Sequence, residues 1–133
     1  MQVLRCDTIW GINVVTLDIQ SLDAVNVAYV TGAVKDAMAE RGPTVVDLGS
    51  LRYFDVSGFA AILKWAATPP VRLCSRAGTI HALLDLLQAD SVIKLYLTRD
   101  DAISSLQDFE VGQRSAVSSQ SRDGDPLPDR RTA

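Results

Sequence analysis

Thr44-Val45-Val46-Asp47-Leu48-Gly49-Ser50-Leu51-Arg52-Tyr53-Phe54-Asp55-Val56-Ser57-Gly58-Phe59-Ala60-Ala61-Ile62-Leu63 is the stretch around which this chain is organised. It opens, behind Gly42-Pro43, on a short β-branched apolar run of the kind buried on both faces inside a parallel sheet. A polar turn follows, Asp55-Val56-Ser57-Gly58, and then apolar residues at helical spacing. Strand, turn and helix make half of a βαβ unit. Open α/β sheets meet their ligands and partners at the turns beyond the carboxyl ends of the strands. Asp55 to Gly58 is therefore the expected functional turn.

Outward from that unit, Val3 to Cys6 and Asn13 to Ile19 read as two strands joined near Gly11. So short a connection requires antiparallel pairing. Asp23 is placed to cap a helix running to about Glu40, with Val30, Ala33, Val34, Ala37 and Met38 as its apolar stripe. Arg41-Gly42-Pro43 stops it. On the far side, Thr68-Pro69-Pro70 ends the helix that began near Gly58, and Val71 to Cys74 is the next strand. Ser75 caps a helix over 76–88, Ile93 to Leu97 alternates as a strand, and Arg99 to about Phe109 is a last helix. The expected fold is one α/β domain over 1–110, in the order β-β-α-β-α-β-α-β-α. It has a mixed, mostly parallel sheet of about five strands and about four helices. Residues 111–133 are poor in apolar side chains and are expected to be a disordered polar tail.

Composition narrows the function. The formal net charge of -3 argues against non-specific binding to nucleic acid or anionic membrane. No apolar run reaches the roughly 18 residues of a membrane span, and the N-terminus lacks the order of a signal peptide. A cytoplasmic protein without direct membrane insertion is the expectation. Cys6 and Cys74 fit no metal spacing and read as buried reduced thiols, with a redox pair as the alternative. His81, the lone histidine, has no nucleophile or carboxylate at catalytic spacing, which disfavours triad chemistry.

The order of elements, with Val45-Val46-Asp47-Leu48, Tyr53-Phe54-Asp55-Val56-Ser57-Gly58-Phe59 and Leu73-Cys74-Ser75, resembles a STAS domain over residues 3 to 106. That family includes bacterial anti-sigma-factor antagonists and the cytoplasmic domains of sulfate transporters. The resemblance implies a non-enzymatic regulatory module that needs no cofactor and no metal. It occupies an anti-sigma factor of the serine-kinase type and so frees a sigma factor, either as a monomer or as a weak dimer. In the antagonists, the hydroxyl residue directly after the motif aspartate is phosphorylated by the anti-sigma kinase. Here that position is Val56, so the switch does not carry over, and Ser57 is the one neighbouring hydroxyl. The family's Gly-Glu-Leu-Asp-like turn is present as Gln20-Ser21-Leu22-Asp23, with its aspartate kept as Asp23.

The expected partner-binding residues are Asp23, Asp55, Val56, Ser57, Gly58, Ala61 and Trp65. Ser57 reads first as a helix N-cap and second as a phosphoacceptor. Asp55 reads as a loop-ordering acceptor. With Phe59, Ile62, Leu63 and Ala66 assigned to the sheet, Gly58, Ala61 and Trp65 form an outward apolar strip. Two alternatives stay open. One is a STAS subunit of an ABC lipid-transport complex. The other is an aspartyl-phosphate protein using Asp55, for which the oxygen ligands of Mg²⁺ are too few.

Overall fold

The computed structural model describes residues 3–39, 42–89 and 91–107. The chain opens as a hairpin of β1 (Leu4–Ile9) and β2 (Ile12–Leu17), paired antiparallel from Leu4↔Leu17 to Ile9↔Ile12. Its two-residue turn is Trp10-Gly11, both at positive φ (55° and 78°), the backbone that matches strand twist in tight hairpins. A two-residue β3 (Ser21–Leu22) leads to α1 (Val27–Met38), β4 (Thr44–Asp47), β5 (Tyr53–Phe54) and α2 (Val56–Ala66). Then come β6 (Val71–Cys74), α3 (Gly78–Leu86), β7 (Leu95–Tyr96) and α4 over 99–107.

The main sheet runs β1-β2-β4-β6-β7, with every pair beyond the hairpin parallel. This is the expected mixed, mostly parallel sheet with four helices. β3 and β5 are an addition, a separate parallel pair with Ser21 opposite Tyr53 and Leu22 opposite Phe54. The expected tail over 111–133 lies outside the described residues.

Two apolar layers sandwich the sheet. On one face Val15, Leu17, Val46, Leu48 and Leu73 pack with Val30 and Val34 of α1, Ile62 and Trp65 of α2, and Ile80 and Leu84 of α3. On the other, Ile12, Val14, Val45 and Cys74 pack with Ala102, Ile103 and Leu106 of α4. Side chains buried this way contribute about 1.5–3 kcal/mol each, which is why β2 and β4 carry apolar residues on both faces. Polar contacts fasten α4: Arg99 donates to Asp47 Oδ2 (2.7 Å) and Thr16 Oγ1 (3.1 Å), and Arg72 Nε donates to Ser105 Oγ (2.8 Å).

The phase of α2 corrects the sequence reading. Its buried residues are Gly58, Ala61, Ile62 and Trp65, with Ala61 6% and Trp65 4% exposed. Leu63 is exposed, and Phe59 and Ala66 are only half-buried. Gly58, Ala61, Ile62 and Trp65 also follow i, i+3, i+4, i+7, so periodicity alone fits two adjacent stripes. Backbone approach decides between them. A Cβ on Gly58 would collide with the Leu22 carbonyl and lie 2.9 Å from Phe54 Cβ, so the glycine must face β3. The outward strip of Gly58, Ala61 and Trp65 does not exist.

The cysteines are also corrected. Cys74 is buried, but Cys6 is exposed on the edge strand β1. β2 and β4 stand between β1 and β6, a separation of about 14 Å at three strand spacings. An internal Cys6–Cys74 disulfide is excluded by that distance. Burial, with the Asp47 carboxylate beside it, pushes the Cys74 thiol up to about 12.

Candidate functional site

The turn at 55–58 is built by three converging segments. β3 and β5 zip the chain before α1 to the chain before α2, supported by Arg52 N–H to Gln20 O (2.8 Å) and Asp55 N–H to Leu22 O (3.2 Å). Asp55, in extended backbone, is the N-cap of α2: its Oδ1 accepts from Gly58 N–H at 2.9 Å. Its Oδ2 accepts from Ala24 N–H at 3.0 Å, a residue 31 positions earlier. One carboxylate thus caps a helix and locks a second loop against it. Of its causes, the Gly58 amide is the largest, and with Ala24 and Ser57 amides it holds the Asp55 carboxyl below the usual carboxylate range.

Asp23 works one turn ahead of the helix it was expected to cap. Its Oδ1 accepts from Val25 N–H (3.0 Å) and Asn26 N–H (3.3 Å), while Asn26 Oδ1 accepts from Asp23 N–H (3.0 Å). α1 then begins at Val27 with Asn26 as its N-cap. Ser57 is likewise displaced: it is the second residue of α2, not the cap, and Asp55 takes that role. Its side chain is half-exposed at the helix start.

Two valines flank the Asp55 carboxylate. Val56 is 84% exposed at the first position of α2, and Val25 is 95% exposed in the turn that Asp55 ties down. Beside Val56 an apolar groove of about 300 Å³ is lined by Tyr53, Phe54, Phe59, Leu83, Leu86 and Leu87. The sequence-predicted residues Asp23, Asp55, Val56, Ser57 and Gly58 are therefore brought together, whereas Ala61 and Trp65 lie in the core behind them. Val25 and the α3 side of the groove were missed. Val25 stands two residues after Asp23 and in no helical stripe, and only the tertiary contact of Ala24 with Asp55 places it beside Val56.

The rest of the site is chemically plain. Both Asp55 oxygens are engaged by backbone amides, as a structural cap requires. His81 Nε2 donates to the Ser75 carbonyl at 2.7 Å, well within its own segment. Among the described residues no three His, Cys, Asp or Glu side chains cluster to hold a metal ion, and no helix is long and apolar enough to cross a membrane.

Comparison with known proteins places this geometry. The family model of the STAS domain matches residues 6–102. Similar solved structures include an anti-sigma factor antagonist from Mycobacterium paratuberculosis, with TM-score 0.64 and 21% identity over 78% of this chain and 92% of that one. An anti-sigma-factor antagonist (STAS) domain protein from Planctomyces limnophilus gives TM-score 0.63 and 20% identity, over 79% and 98% of the two chains. A sulfate transporter family protein from Wolinella succinogenes gives TM-score 0.59 and 12% identity, over 76% and 88%. Among curated proteins no match is found. At these identities the structures share the fold, and the family model covers most of the chain: the chain belongs to the STAS domain family.

Proposed function

We propose that this domain is a non-enzymatic antagonist that docks an anti-sigma factor on the surface formed by Val25, Asp55, Val56 and Ser57, so that a sigma factor is released to RNA polymerase. The observation that carries the reading is the pair of exposed valines held on either side of Asp55. Two apolar side chains at 95% and 84% exposure have no folding reason to sit together on ordered backbone. The tie between Ala24 and Asp55 prepays the ordering of both loops, so docking costs less conformational entropy. Asp23 supports the surface from behind by ordering the Val25 turn.

The partner is an anti-sigma factor with a kinase-type fold, and docking is not switched at position 56. Val56 has no oxygen to accept a phosphoryl group, so an anti-sigma kinase finds its usual target apolar. Ser57 carries the nearest hydroxyl, on the first turn of α2, where helix N–H groups tolerate a dianion.

The test is reconstitution. Added to a complex of sigma factor and anti-sigma factor from the same organism, the domain displaces the sigma factor, and mass spectrometry after incubation with ATP finds residue 56 unmodified. Failure to displace any sigma factor from any anti-sigma factor of that organism overturns the reading.

A further inference from the structure

We propose that the crevice at the carboxyl ends of β6 and β7 binds a small organic anion, whose carboxylate or phosphate group is held by Arg76 and Arg99. The topology of the sheet marks the place. β2, β4 and β6 lead on to α1, α2 and α3 on one face, whereas β7 leads to α4 on the other. β6 and β7 are therefore the neighbouring parallel strands whose connections part to opposite faces. In open α/β sheets the ligand crevice forms at that switch point, outside the carboxyl ends of the strands.

A cavity of about 400 Å³ lies there. Asp47 and Cys74, the last residues of β4 and β6, line it with Arg76, which follows β6, and with Thr98, Arg99 and Asp100, which follow β7. Sites for small molecules occupy roughly 300–1,000 Å³, so this one suits a compact ligand. Its walls are tied together by backbone. Leu48 N–H donates to Cys74 O at 2.7 Å, and Ser75 N–H donates to Tyr96 O at 2.9 Å.

The charges select an anion. Arg99 donates through Nε and Nη2 to Asp47 Oδ2 (3.1 and 2.7 Å), and Asp47 Oδ1 accepts from Gly49 N–H (2.8 Å). That pair neutralises itself and leaves Nη1 of Arg99 for another acceptor. Arg76 is exposed and makes no hydrogen bond or ion pair among the described residues. A guanidinium presents a planar fork of donors that matches a carboxylate or a phosphate. Asp100, exposed in the same lining, is the carboxylate that opposes the ligand and limits the negative charge the site accepts. None of these residues belongs to the Asp55 surface, so the crevice is independent of the proposed docking.

The test titrates the full, isotope-labelled chain with inorganic phosphate and, separately, with citrate at constant ionic strength, and follows the backbone amide shifts. The expected result is saturable movement centred on Arg76, Thr98, Arg99 and Asp100 with at least one of the two. Saturation by phosphate alone assigns a phosphoryl ligand, and saturation by citrate alone a carboxylate. Arg76→Ala, an exposed change that leaves the melting temperature in place, weakens that binding about tenfold or more. Arg52→Ala, which removes an exposed arginine outside the crevice, leaves it unchanged. Asp100→Asn tightens it. The proposal is overturned if neither anion gives saturable shifts, if the shifts centre elsewhere, or if Arg76→Ala binds as the parent does.

Discussion

Asp55 Oδ2 stands 3.0 Å from the amide of Ala24, while Oδ1 of the same carboxylate caps α2 at Gly58. This bridge between two loops, 31 residues apart in sequence, is what holds Val25 beside Val56.

Replacing the bridge tests it directly. Asp55→Ala removes an N-cap and a cross-loop acceptor together, and the midpoint of urea unfolding is expected to fall. Asp55→Asn keeps one acceptor oxygen and loses less. Amide exchange at Ala24 and Val25 should rise in both variants well before exchange in the sheet does.

The phase of α2 gives the sharpest stability prediction. Ala61→Glu forces an unpaired carboxylate into the layer between α2 and the sheet, a cost of at least about 3 kcal/mol. The melting temperature falls by many degrees. Leu63→Glu, two residues on and exposed, stays within about 0.5 kcal/mol of the parent.

Gly58→Ala is as demanding in a smaller way. The new methyl meets the Leu22 carbonyl and Phe54, which are backbone and core rather than yielding side chain. Overpacking of this kind costs about 1–3 kcal/mol by denaturation, despite the better helix propensity of alanine.

How far the sequence carried the fold can be read from these residues. The β-branched runs of β2, β4 and β6, the Gly42-Pro43 stop and the Val30, Val34, Ala37 stripe gave the sheet and helix order, because periodicity and breakers are local properties. Two-residue strands such as β3 and β5 leave no period to detect. Periodicity does not set the phase of α2, because the smallness of Gly58 records a close approach by a segment 36 positions away, at Leu22, and that approach is a tertiary property. Asp55 was legible as an acceptor, but its second partner, Ala24, is set by tertiary contact. Val25 was invisible for the same reason.

Acid pH should loosen the site. The Asp55 carboxyl is held below its ordinary value of 3.8, so the folded state favours the ionised form. Its stabilising contribution is present above that ordinary value and is lost as pH falls through the lower, folded one. Partner affinity and Ala24 amide protection should therefore hold from neutral pH down to about pH 4 and decline below it. Asp55→Asn removes that acid limb.

At the other end of the scale, Cys74 opposes unfolding chemistry only while protonated. With its thiol raised from 9.0 to about 12, its contribution is complete below pH 9 and is lost as pH rises toward 12. Thiol counting on the native chain should find Cys6 reacting promptly and Cys74 only after denaturant is added.

The central claim, that Val56 and Val25 flanking Asp55 are the docking face, is tested most directly by calorimetric titration of the anti-sigma factor with wild-type, Val56→Glu and Val25→Glu domains of matched melting temperature. An added carboxylate desolvated at the centre of the contact predicts affinity lower by about 100-fold, or about 2.7 kcal/mol, for Val56→Glu, and a comparable loss for Val25→Glu. Affinity for both variants within about threefold of wild type, under 1 kcal/mol, would contradict it.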